Sequence, residues 1–188
     1  GRQIATEGNG KGAAACASCH GVNGAGNGSA GFPRLAGLNA IYLSKQLDDF
    51  KAGTRDNPVM DPIASALTDE GGEAAAAYFA QAQTKFSGER PSMSPELRER
   101  GKRLAERGDW DKDLPACVSC HGPDGMGVGE AFPRIAGQHA NYISSQIKAW
   151  QEGARRNDPV QLMKAVADKL SDSDTAAVAA YFAGLKQQ

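Results

Sequence analysis

One pentapeptide occurs twice, as Cys16-Ala17-Ser18-Cys19-His20 and Cys117-Val118-Ser119-Cys120-His121, and the two copies use every cysteine of the chain. Two cysteines spaced by two residues and followed at once by histidine form the attachment signature of a c-type haem. The spacing lets both sulfurs reach one porphyrin edge as thioethers, and the adjacent histidine falls beneath the iron. The pattern predicts two covalently bound haem c groups. One is held by Cys16 and Cys19 and the other by Cys117 and Cys120, with His20 and His121 as iron ligands.

Two other chemistries use C-x-x-C. A thioredoxin-like dithiol follows a strand in a βαβ unit, but the stretch before Cys16, Gly8 to Ala15, has no strand character. A four-cysteine zinc site leaves both histidines as coincidences. Repetition of the whole pentapeptide inside a longer repeat favours haem.

The repeat spans most of the chain. Phe32-Pro33-Arg34-Leu35-Ala36-Gly37 falls on Phe132-Pro133-Arg134-Ile135-Ala136-Gly137, Tyr42 on Tyr142, Gln46 on Gln146 and Gly53 on Gly153. After a three-residue difference Met60 falls on Met163, Leu67 on Leu170 and Tyr78-Phe79 on Tyr181-Phe182. Two long copies read as duplicated domains rather than a solenoid. The predicted boundaries are a first domain over 1–88, a linker over 89–94 and a second domain over 95–188. Each half is small for an unaided core, and aromatic residues are only 6% of the chain. A buried porphyrin supplies the missing apolar mass.

The helical signals repeat as well. Ser94 and Pro95 start a helix that runs to Arg107 and stops at Gly108, with serine as cap and proline at the first helical position. Its counterpart, around Thr6 to Ala15, is short and glycine-rich. A second helix covers Asn39 to Ala52 with Leu43, Leu47 and Phe50 on one face, and Ile143, Ile147 and Trp150 repeat that stripe. Thr68 and Ser171 cap third helices over Glu73 to Gln81 and Thr175 to Gly184. No segment alternates with a period of two, so the predicted fold class is all-α: two tandem domains, each wrapped round one haem.

The distal iron ligand is sought among four methionines. Met93 lies in the linker, and Met126 is five residues past His121 on the proximal side. Met60 and Met163 lie 40 and 42 residues after their histidines, at matching repeat positions, each behind a Pro-Val pair. A gap-filling core role is the alternative, but one methionine per half at the same place favours ligation of iron. His/Met pairs have raised potentials, and two protein ligands leave no open position for oxygen or peroxide. That arrangement suits electron carriage and not catalysis.

The glycine-rich stretches, Gly21 to Gly31 and Gly122 to Gly129, lack the lysine and the strand-to-helix context of a phosphate loop. Arg34, Arg134, Tyr42, Tyr142, Gln46 and Gln146 are candidate partners for haem carboxylates, or residues of the surface or a domain interface. His139 falls on Asn39 and so reads as a helix-start or surface residue, not a ligand. The formal charge of −1 gives no basic excess for nucleic acid. No run approaches 18 apolar residues, so any membrane association is expected to be peripheral. The chain begins at Gly1, without an initiator Met or an apolar leader, as expected of a mature protein whose signal peptide has been removed.

Two C-x-x-C-H domains, F-P-R-L-A-G and F-P-R-I-A-G-Q-H-A-N-Y after them, the N-D-P-V-Q-L-M segment and the repeated terminal helix together resemble the dihaem cytochrome c4 family. The resemblance covers nearly the whole chain. It implies two class I cytochrome c domains related by approximate two-fold symmetry, both haems His/Met-ligated, in the bacterial periplasm. It implies a carrier, not an enzyme, moving electrons from quinol-oxidising complexes or periplasmic dehydrogenases towards a terminal oxidase. By resemblance to c-type cytochromes, Pro33 and Pro133 offer their carbonyls to the proximal imidazoles. The first Met segment, Arg55 to Met60, is shorter than the second, Arg155 to Met163. A dedicated cytochrome subunit or redox partner of a sulfur-compound dehydrogenase is the alternative. A dihaem peroxidase is a third reading, against which the paired methionines argue.

Overall fold

The computed structural model of the protein describes residues 1–84 and 94–185. Met93 and almost all of the expected linker lie outside the described residues. Two compact units form: the first gathers residues 1–84 and 154–157, the second the remaining described residues. Among the described residues, pairing of extended backbone is limited to isolated bridges, such as Asn27 with Phe32. No described helix is long and apolar enough to cross a membrane.

The first unit contains α1 (Arg2–Glu7), α2 (Ala17–His20), α3 (Ala40–Lys51), α4 (Met60–Ser65) and α5 (Asp69–Gln81). Asn39 starts α3 by accepting from Ile41 N and Tyr42 N through its side chain, at 2.8 and 3.2 Å. Thr68 caps α5 by accepting from Gly71 N at 3.1 Å. The first helix departs from the expectation of Thr6 to Ala15: it ends at Glu7. Gly8, Gly10 and Gly12 all take positive φ, which a helix cannot accommodate. Asn9 organises the loop instead. Its Oδ1 accepts from Lys11 N and Ala13 N, and its Nδ2 donates to Ala66 O at 2.7 Å. The core is Ala5, Leu38, Leu43, Ala76 and Phe79, with Cys16, Leu35, Tyr42 and Tyr78 packed on it.

The second unit contains α6 (Pro95–Arg107), α7 (Val118–His121), α8 (Ala140–Gln151), α9 (Leu162–Ala167) and α10 (Asp172–Gly184). Ser94 caps α6, and Gly108 ends it at φ 73°. Helices α6 and α10 cross at Gly101, where a Cβ would overlap the Ala177 carbonyl; only glycine lets the backbones meet there. Leu104, Leu114, Ile143, Ile147, Leu170, Val178 and Phe182 form the core. Helices α4 and α9 were not legible as helices in the sequence, being six residues each.

One buried charge ties the second unit together. Ser171 and Asp174 form a capping box at the start of α10. The Asp174 side chain is 3% exposed and accepts from Arg100 of α6 at 2.8 Å and from Lys112 at 2.9 Å. Burial would raise its pKa, but Arg100, Lys112 and Ser171 outweigh that and hold it well below the usual carboxylate range. A depressed pKa stabilises the fold above the unfolded value of about 3.9, and that contribution fades as pH falls below it. Asp174→Asn is expected to cost about 2 kcal/mol at neutral pH. In denaturant titrations the gap from the unsubstituted protein narrows below pH about 4; a gap that stays constant with pH contradicts the assignment.

Candidate haem-attachment sites

Each pentapeptide folds into a single helical turn. His20 N donates to Cys16 O, and His121 N to Cys117 O, both at 2.9 Å. On such a turn, residues three and four apart share a face, so both sulfurs and the imidazole project to one side. Gly21 and Gly122 end the turns at φ 77° and 76°. The glycine-rich segment then folds back, with Gly26 N donating to His20 O at 2.8 Å and Gly127 N to His121 O at 2.6 Å. Gly24 and Gly125, also at positive φ, lie against the rings of Phe79 and Phe182.

That return delivers the proline carbonyls. His20 Nδ1 lies 3.0 Å from Pro33 O, and His121 Nδ1 lies 2.7 Å from Pro133 O. A carbonyl only accepts, so Nδ1 carries the hydrogen and Nε2 keeps the lone pair. Both rings are buried, at 7% and 8% exposure. Burial pushes the His20 pKa down, against the smaller effect of the Pro33 carbonyl. The result is a neutral imidazole with one fixed orientation, which is what a metal-ligating histidine requires.

The thiols behave unlike a redox dithiol. Burial raises the Cys16 pKa and pushes Cys117 up to about 11, with Cys19 and Cys120 adding to it and backbone hydrogen bonds opposing. Reactive dithiols and zinc thiolates need the opposite shift. Two cysteine sulfurs and an imidazole Nε2 on one helical turn fit covalent haem c.

Of the candidate distal ligands, Met60 is the first residue of α4 and Met163 the second of α9, both half-buried. Two side chains that the sequence reading did not single out position them. Asn57 Oδ1 accepts from Val59 N and Met60 N at 3.0 and 2.9 Å, and Asn57 N donates to Asp61. In the second unit Asp158 Oδ2 accepts from Met163 N, and from Lys164 N at 3.4 Å. The longer second segment is absorbed by Gln161, which turns through φ 54°. Asn57-Pro58 and Asp158-Pro159 carried the signal, because an Asx-Pro pair starts turns. Met126 is exposed, at 43%.

The remaining candidates divide. Arg34 is 3% exposed, and its Nε donates to Ala36 O at 3.2 Å. Arg134 repeats this with Ala136 O at 3.1 Å, and burial lowers its pKa. Gln46 is buried and Tyr42 half-buried, and both bond to Arg155. Gln146 donates to Ser145 Oγ at 3.2 Å. His139 stands at the N-cap of α8, as a helix-start residue, but it is 8% exposed and so not a surface residue.

The family model described as cytochrome c matches the chain twice, over residues 5–84 and 98–186. The chain is similar to a thiosulfate dehydrogenase electron acceptor of Stutzerimonas stutzeri (strain A1501), at 50% identity over all of this chain and 87% of that one. It is also similar to the crystal structure of reduced recombinant cytochrome c4 from Pseudomonas stutzeri. That match has a TM-score of 0.80 and 38% identity, and covers 90% of this chain and 93% of that one. A thiosulfate dehydrogenase from Marichromatium purpuratum, in its as-isolated form, matches with a TM-score of 0.92 and 43% identity. The match takes in 98% of this chain but spans only 39% of that one.

Removing the Asx caps tests whether they place the methionines. Asn57→Ala and Asp158→Ala are each expected to weaken one Met segment by about 1 kcal/mol. The sulfur-to-iron charge-transfer band of the oxidised protein should then disappear at lower denaturant concentration than global unfolding. Coincident loss of band and fold, as in the unsubstituted protein, contradicts the positioning role.

Proposed function

We propose, from the premise that the chain belongs to the dihaem cytochrome c4 family, that it takes electrons from a thiosulfate dehydrogenase and passes them to a further redox protein in the bacterial periplasm. The chain is a dihaem electron-transfer cytochrome with two covalently bound haem c groups. The partner reading rests on one observation, the full-length likeness to a protein named as a thiosulfate dehydrogenase electron acceptor.

In this reading Cys16 and Cys19 hold one haem and Cys117 and Cys120 the other. His20 with Met60, and His121 with Met163, would ligate the two irons. The two haem-bearing domains are residues 1–88 and 95–188. Haem c supplies reversible one-electron exchange between Fe(II) and Fe(III). The chain's own residues set the conditions for it. The proline carbonyls hold each imidazole in one tautomer and one orientation. The thioether of methionine favours the ferrous state and raises the potential. The helix starts at Met60 and Met163 and the helical turns at His20 and His121 would hold these ligands in fixed places.

A second reading, a general carrier from a quinol-oxidising complex to a terminal oxidase, is favoured by the likeness to cytochrome c4. Rapid mixing separates the two. Oxidised holoprotein mixed with a thiosulfate dehydrogenase and thiosulfate should be reduced at both haems with saturable kinetics, and not by thiosulfate alone. Failure of the dehydrogenase to reduce it, with fast reduction by a quinol-oxidising complex, would favour the general carrier and reject the dedicated acceptor.

A further inference from the structure

Packing alone holds the methionine-bearing helices weakly. Helices α4 and α9 are six residues each, with one buried residue apiece, Ala64 and Ala167. A helix that short is marginal on its own, so its place depends on what grips its two ends. Asn57 and Asp158 grip the starts. The far ends carry carbonyls that no residue of the helix satisfies. There each unit uses a side-chain amide, drawn from a different part of the fold.

In the first unit the amide is Asn9, in the loop that leads to Cys16. Lys11 N and Ala13 N donate to its Oδ1 at 2.8 and 3.0 Å. A backbone N–H only donates, so these two bonds fix which end of the amide is oxygen. They leave Nδ2 aimed at Ala66 O, 2.7 Å away. Ala66 is the residue that closes α4. The same loop meets it a second time, because a Cβ on Gly12 would lie 3.3 Å from the Ala66 Cβ. Asn9 thus ties the end of the Met60 helix to the segment that carries the attachment cysteines.

In the second unit the amide is Gln151, the last residue of α8. Its Nε2 donates to Ala167 O at 2.8 Å and to Leu170 O at 2.9 Å. Ala167 is the last residue of α9. Neither unit has both amides. Lys51 stands in the repeat where the second unit has Gln151, and it reaches Asp69 of α5 instead, at 2.7 Å. Asp109 follows the helix-ending Gly108 as Asn9 follows Gly8, and it accepts from Arg100 at 3.1 Å. The two units therefore reach one arrangement through side chains that the sequence repeat does not align.

We propose that Asn9 and Gln151 are positioning residues for Met60 and Met163. Each amide holds the far end of the helix whose start carries the methionine, and so sets how often the thioether leaves the iron. This rests on the axial ligation proposed for the two irons, not on the identity of the redox partner.

The test uses oxidised holoprotein and cyanide, which binds where a methionine has let go. Met60→Ala and Met163→Ala assign the two haems. A sulfur-to-iron band undiminished in either variant rejects the ligation at that haem, a failure distinct from those that follow. Asn9→Asp and Gln151→Glu keep the size and the accepting oxygen but at neutral pH lose the donated N–H. Each should speed cyanide uptake about fivefold at its own haem, the loss of one net hydrogen bond, and leave the other haem unchanged. A residue that only supports the fold would lower the midpoint of global unfolding with no change in uptake, and that result overturns the proposal. Equal acceleration at both haems overturns it too. So does an Asn9→Asp protein that behaves as the unsubstituted one while Asn9→Ala is fast, because the loop and not the bond to Ala66 would then act. The two acidic variants test the claim separately, so if one fails to take up haem the other decides it.

Discussion

The hydrogen bond from each proximal histidine to a proline carbonyl is the contact on which both sites depend. Without it the imidazole could rotate or exchange tautomers, and a ring nitrogen bearing hydrogen cannot bind iron. The sequence between the two partners is built to make that bond. Gly21 and Gly122 end the attachment turns in conformations that disfavour a side chain. Gly26 and Gly127 bring the backbone into register with the histidine carbonyls. The phenylalanines before the prolines, Phe32 and Phe132, place their rings 6.2 and 6.4 Å from the imidazoles. The two units arrive at the same geometry with different intervening residues, so the constraint is the bond and not one particular loop.

The apolar cores explain why a covalent cofactor is needed. Among the described residues the buried phenylalanine rings are few, Phe50 and Phe79 in the first unit and Phe182 in the second, with alanines and a few aliphatic side chains around them. The terminal helices are lined with small residues, Gly71, Gly72, Ala75 and Ala76 in α5 and Ala177, Ala179, Ala180 and Ala183 in α10. Small residues permit close approach but bury little apolar area. A haem tethered at two points adds apolar surface and removes chain entropy from the unfolded state, as a cross-link does. In that sense the cofactor completes the fold as well as the function.

Much of this was legible in the sequence where the signal is local. Ser94 with Pro95, Asn39, Thr68 and Ser171 with Asp174 mark helix starts through side chains acting on the next turn, and each acts there in the structure. The pentapeptides and their prolines are read in the same way. The misses have physical causes. The first helix was expected too late, at Thr6 to Ala15 as the counterpart of the Ser94–Arg107 helix, where three glycines at positive φ exclude it. Helices α4 and α9 are one to two turns long, too short to show a period. Asn57 and Asp158 were not singled out, because their role, fixing the methionine backbone, appears only when the segment is closed. Arg55 and Arg155 entered only as the bounds of the Met segments; their burial comes from tertiary packing, which no local pattern encodes.

In the proposed ligation each iron would be enclosed by two protein ligands, which would suit it to carrying single electrons. Electronic absorption and electron paramagnetic resonance spectra of the oxidised holoprotein, repeated with carbon monoxide on the reduced form, test that claim most directly. Two low-spin irons, a sulfur-to-iron charge-transfer band with an intensity corresponding to two haems, and no carbon monoxide adduct in the native protein are expected. A high-spin haem, or one that binds carbon monoxide or peroxide without prior unfolding, would contradict it.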